Sequence, residues 1–107
     1  MDAESPHRVV LTTFSNAEEM ATCIAAILEK RLAACIQQIK GNSSYRWEGK
    51  VQTEEEYILL IKTTASREPE LRAFIESVHS YDVPEIISLP IVAGSEQYLR
   101  WLDEETS

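Results

Sequence analysis

Residues 77–87, SVHSYDVPEII, gather a histidine, a phenol and two carboxylates within a few positions. Such a set can bind a metal, move a proton, or join a helix to a strand. Val83 precedes Pro84, and a proline ring disfavours the α region for the residue before it, so the segment reads as leaving a helix and entering a strand. Tyr81 and Asp82 then fit a connecting turn, and His79 fits a solvent-exposed or capping residue near a helix end. The other histidine, His7, falls in MDAESPH, which is short, polar and terminal and reads as a flexible N-terminus over residues 1–7.

A closed structural zinc site takes four nitrogen or sulfur ligands, which His79 and Cys35 of one chain do not supply. An intersubunit site, or a Cu(II)-type site completed by a carboxylate and water, stays open. Cys35 lies beside Ala33 and Ala34, small neighbours that allow close packing, and reads by default as core filler. Cys23 reads the same way, since free cysteine is among the most buried residue types. The run Glu54-Glu55-Glu56 reads as a solvated charge run protecting a strand edge. Trp47 and Trp101 are large hydrophobes suited to core or interface packing. Gln37 and Gln38 interrupt an apolar strand, which marks a passage from core to a polar cleft or interface. G-x-S-x-G, P-loop and G-x-G-x-x-G motifs are all missing from the sequence, which argues against an enzyme.

The 107 residues, 44% hydrophobic, match one domain with one core, able to fold without disulfides or a structural metal. Ten Lys plus Arg against eighteen Asp plus Glu give a formal net charge of −8, which repels polyanions and enriches cations at the surface. Nucleic acid is therefore excluded as an expected partner. No stretch approaches the ~20 apolar residues of a membrane span, and MDAESPHR lacks a secretory pattern, so the expected location is the cytoplasm. Two cysteines without a C-x-x-C suit a reducing compartment.

The elements that must position these residues follow from periodicity. RVVLTTF (8–14) is a β-branched strand, and Ser15 or Asn16 caps a helix with Glu18 and Glu19 in its first turn. Residues 33–47 and 50–64 read as two long strands joined at Glu48-Gly49, glycine supplying the positive φ of a tight hairpin. A second helix is expected to start with Ser66 as cap, tolerate Pro69 in its first turn and end near His79. EIISLPIV is a last strand, at an edge or broken by Pro90, and Gly94-Ser95 opens a short final helix, with DEETS fraying at its end.

The predicted fold class is α+β: a ferredoxin-like βαββαβ sandwich with a long central hairpin and an extra C-terminal helix, one domain over residues 8–104. Strands of ~14 residues span roughly 46 Å, against about 22 Å for a ~15-residue helix, so part of the hairpin must overhang. An overhang carrying Tyr45, Trp47 and Val51 with unpaired edges predicts a homo-oligomer closed by strand pairing, a ring such as a trimer.

RLAACIQQI (31–39), YRWEGKV (45–51), EYILLIKT (56–63), VHSYDVPEIISLPI (78–91) and YLRWL (98–102) together resemble the CutA divalent-ion-tolerance family over essentially Val9 to Leu102. The resemblance implies the ferredoxin-like fold, a homotrimer related in architecture to PII signalling proteins, and a cytoplasmic, non-enzymatic role linked to copper and other divalent metal ions, with no cofactor required. The family's H-P-Y-x-x-P-E segment falls on His79, Ser80, Tyr81, Pro84 and Glu85, with serine replacing the usual proline. Of three positions implied to hold copper, Thr12 and Val78 carry residues that do not ligate, and His79 remains. The expected metal residues are His79 with Cys35 or Glu85. The alternative is a PII-like signalling or adaptor trimer with a ligand cleft between subunits, lined by Trp47, Lys62, Tyr81 and Glu85.

Overall fold

The computed structural model describes residues 5–107; the expectation for residues 1–4 lies outside the described residues. The elements run β1 (His7–Phe14), α1 (Ala17–Glu29), β2 (Cys35–Trp47), β3 (Lys50–Thr64), α2 (Glu68–Val78), β4 (Ile86–Pro90) and α3 (Glu96–Glu105). The four strands form one antiparallel sheet in the order β2-β3-β1-β4, the expected ferredoxin-like arrangement with a helix appended. Alternation along β1 and β3 sends Val10, Phe14, Leu59 and Ile61 to one face, where they meet Met20, Cys23 and Ile27 of α1 and Leu71 and Ile75 of α2. The opposite face is open along Ile39, Ile87 and Leu89, which are 51%, 45% and 46% exposed.

Local chemistry explains where the elements stop. Asn16 caps α1, its side chain accepting from the Glu19 amide at 2.9 Å. The same helix ends in a Schellman motif, with Leu32 N–H on Ile27 O and Arg31 N–H on Leu28 O, and places Arg31 at φ 58. That left-handed conformation costs a non-glycine residue on the order of 1 kcal/mol. It is offset by bonds from the guanidinium to Glu104 O and Ser107 O at the end of α3.

The hairpin turn departs from expectation in one respect: Glu48 (φ 50) shares the left-handed conformation with Gly49 (φ 78), as a two-residue type I′ turn requires. Helix α2 begins one residue later than predicted, with Arg67 at the cap position and no side-chain cap bond, while Ser66 Oγ pairs with Thr64 Oγ1. Strand β4 lies at the edge and ends at Pro90, opposite Arg8. Among the described residues, no helix is long and apolar enough to cross a membrane.

Two described positions in the stretches expected to be loose, His7 and Thr106, are held. His7 opens β1, is 7% exposed, and its Nε2 lies 2.9 Å from Asp103 Oδ1 on α3. Thr106, just past α3, is buried, and its carbonyl accepts from Arg67 Nε at 2.8 Å. The reason is α3 itself, which buries Leu102 and carries the chain end back onto the start of β1.

The hairpin overhangs as its length demanded. Strand β1 pairs only with Tyr57–Thr64 of β3, leaving residues 50–56, seven positions, without a neighbour on that side. At strand rise this is about 23 Å of two-stranded ribbon, in a molecule 43 Å long. Tyr45, Trp47 and Val51 lie exposed on it.

Candidate functional site

The connection from α2 to β4 is built around His79. As the C-cap of α2 it turns the backbone extended (ψ 138) while its amide still reaches Ile75 O. Its ring stacks on the buried Phe14, with centroids 4.3 Å apart and planes at 13°. Nε2 lies 2.6 Å from Thr13 O, and Nδ1 lies 3.2 Å from the Tyr81 amide nitrogen. A carbonyl oxygen can only accept and an amide N–H can only donate, so Nε2 carries the proton and Nδ1 accepts. A metal ion at either nitrogen would have to displace one of these bonds.

The other expected metal residues stand apart from it. Cys35 opens β2 opposite Lys62, which is itself opposite Val9, whereas His79 binds at Thr13, four residues further along β1, or about 13 Å at strand rise. Burial, and then a hydrogen bond with Cys35, push the Tyr98 phenol up to about 12, so Cys35's neighbour is a phenol of α3. Glu85 lies in the groove described next. Among the described residues, no three His, Cys, Asp or Glu side chains stand together as a metal site would require. His79, Cys35 and Glu85 are thus not brought together within one chain.

What the fold does assemble is a groove of about 890 Å³ between the hairpin overhang and the connection. Its walls include Tyr45, Trp47, Glu54 and Glu56 from the ribbon and Tyr81 and Glu85 from the connection. Tyr81 Oη donates to Glu56 Oε2 at 2.6 Å, and Tyr45 Oη donates to Glu54 Oε1. Burial and the Glu56 hydrogen bond raise the Tyr81 phenol to about 12, and the Glu54 hydrogen bond raises that of Tyr45. Both phenols are therefore protonated donors at neutral pH.

Glu56 corrects the reading of the acidic run. It is 7% exposed rather than solvated, because the ladder sets it opposite Gly41, which has no side chain, and Tyr81 folds over it. Glu55 keeps the expected exposure, 3.9 Å from Lys40. Of the predicted cleft residues, Trp47, Tyr81 and Glu85 line the groove and Lys62 does not: its Nζ bonds Gln37 Oε1 near the far end of the ladder. Tyr45, Glu54, Glu56 and Asp82 also line it without having been anticipated there. Their signal was present as i,i+2 spacing, Tyr45/Trp47 on one strand and Glu54/Glu56 on its partner, which puts each pair on one face.

A smaller hollow of about 390 Å³ lies between α1 and α2 beside Cys23 and Phe74. Burial, then the Glu19 charge, push the Cys23 thiol up to about 11, so it is a poor nucleophile.

A family model described as CutA1 divalent ion tolerance protein matches residues 8–105. The chain belongs to the CutA1 divalent ion tolerance family. The divalent-cation tolerance protein CutA of Thermus thermophilus is 44% identical to this CutA1-family chain over 99 residues, covering 92% of this chain and 96% of that protein. The chloroplastic protein CutA of Arabidopsis thaliana is 43% identical over 102 residues, 94% of this chain but 56% of that longer protein. Among solved structures, CutA1 from Oryza sativa superposes with a TM-score of 0.90 at 40% identity, over 98% of this chain and 97% of that one. The periplasmic divalent cation tolerance protein CutA from Archaeoglobus fulgidus does so with a TM-score of 0.91 at 33% identity, over 94% and 99%. CutA relatives thus carry both chloroplastic and periplasmic descriptions.

Proposed function

We propose that the chain serves divalent-cation tolerance as a non-enzymatic, cytoplasmic homotrimer of PII-like design, whose groove under the hairpin receives a small ligand or partner surface between subunits. The observation that carries this reading is His79, whose two ring nitrogens are committed to Thr13 and Tyr81 while Trp47, Tyr81 and Glu85 line an accessible groove. Copper at either ring nitrogen of His79 would displace one of these hydrogen bonds, and among the described residues no three His, Cys, Asp or Glu side chains gather to complete a site. The overhanging ribbon supports assembly, since seven residues of β3 lack a neighbour on the β1 side and isolated ribbons are marginal in water. The open sheet face supports it too, and a closed ring satisfies every copy equally.

Light scattering over a dilution series tests the assembly: the trimer should persist to nanomolar concentration and unfold without a populated monomer. A compact, stable monomer would sink it. Titration with Cu(II), run beside His79→Ala, tests the site, and we expect no saturable heat that depends on His79. The second reading is copper held by His79 with Cys35 or Glu85 and groups from another subunit, favoured by the family's relation to divalent cations and by the net charge of −8. Saturable binding abolished by the substitution would restore it.

A further inference from the structure

We propose that α3 is a releasable strap: it opens as a unit while the sheet and the other two helices stay folded, and its opening bares the Cys35 end of the sheet's open face. Val10, Ile36 and Ile61 belong to the core face, so their neighbours Val9, Cys35 and Lys62, which lie opposite one another in the ladders, point to the open one. Helix α3 lies over that end. Asp103 meets His7, which shares a face with Val9 by the two-residue period of a strand, and the Tyr98 phenol is hydrogen-bonded to Cys35.

The helix is poorly equipped to hold itself there. It is ten residues long, and helices shorter than about 12 residues are marginal in water unless packing supports them. Of its side chains only Leu102 is buried, while Tyr98 and Trp101 stay exposed. Its last turn carries Asp103, Glu104 and Glu105 and no lysine or arginine, so three carboxylates sit at the negative end of the macrodipole. The missing positive charge comes from elsewhere in the chain. Arg31, just past α1, donates to Glu104 O and Ser107 O, and Arg67, at the start of α2, donates to Thr106 O. With the contact between His7 and Asp103, these bonds fasten the far end of α3 to the body. An element with so little buried apolar area opens at a lower free energy than the whole fold. The core cluster of Val10, Phe14, Ile27, Leu59, Ile61 and Ile75 includes no residue of α3, so it stays closed when the strap lifts.

Hydrogen exchange of the assembled full chain at neutral pH, read by mass spectrometry, tests this. We expect the amides of α3 to be less protected than those of β1 and β3 by about ten-fold or more. Arg31→Gly removes the guanidinium while suiting the φ of 58, and should speed α3 exchange about ten-fold with β1 and β3 unchanged. Arg67→Ala should act in the same direction. Labelling of Cys35 by a bulky thiol reagent should accelerate by the same factor in each variant, at a rate independent of protein concentration. Exchange of α3 in step with β1 and β3, exchange indifferent to both substitutions, or acceleration of every element together in Arg31→Gly overturns the proposal. So does Cys35 labelling that ignores the substitutions, or that slows as concentration rises, which would make separation of copies the gate instead of α3.

Discussion

Replacing His79 with alanine removes three contacts that join α2, β1 and the connection. One is the bond to Thr13 O at 2.6 Å, the second is the acceptor for the Tyr81 amide, and the third is the stack on Phe14. Each hydrogen bond contributes about 1 kcal/mol net, and a stacked ring pair adds about 1 kcal/mol beyond its area. The expected loss is therefore about 3 kcal/mol per protomer, a large part of the stability of a domain this size. Urea unfolding of wild type and His79→Ala at matched protein concentration measures it, the matching being needed because assembly stabilises by mass action. Added Cu(II) should leave the difference unchanged. A loss below about 1 kcal/mol would refute the reasoning, since it would mean the ring's three contacts are incidental and its nitrogens are cheaply freed.

Tyr81 makes alkaline pH informative. Its folded-state value of about 12 lies above the ordinary 10, so its contribution is complete below pH 10 and is lost as pH rises toward 12. Unfolding midpoints should fall through that window, and Tyr81→Phe should make the fall shallower; an identical slope would remove Tyr81 from the account. At pH 8 about one Cys23 thiol in a thousand is ionised, so a thiol reagent should label Cys35 and spare Cys23, as peptide mapping would read. Gly49→Ala meets no atom within 4 Å but places a Cβ at φ 78, so it should cost about 1 kcal/mol in urea unfolding, and an unchanged midpoint would mean the turn relaxes.

What the sequence disclosed about the fold came from local chemistry. Glu48-Gly49 bounded the hairpin to the residue, and Pro90 stopped β4 at the edge. What it hid depends on partners far along the chain. His7 is buried because Asp103 returns to it, and Glu56 is buried because Tyr81 reaches it from another element. Periodicity assigns a face to each of these residues but cannot supply the neighbour. Lys62 shows the limit in the other direction: it shares a strand with groove residues, yet the register carries it to the Cys35 end of the ladder. The opening cluster SVHSYDVPEII divides in the same way, His79 turning inward to fasten the connection while Tyr81 and Glu85 face the groove.

The strand order also carries a kinetic consequence. Trp47 pairs with Lys50 across a two-residue turn, so the long ribbon can zip from its tip with almost no chain to close. Pairing of β1 with β4 joins Arg8 to Pro90 and must draw together nearly the whole sequence before a single bond forms. The ribbon therefore matures early and β4 docks late. Until it does, the outer edge of β1 is a vacant template beside an exposed apolar face, open to the β4 of another copy as readily as to its own. Concentration during refolding, rather than stability once folded, is where this chain is most exposed to mispairing.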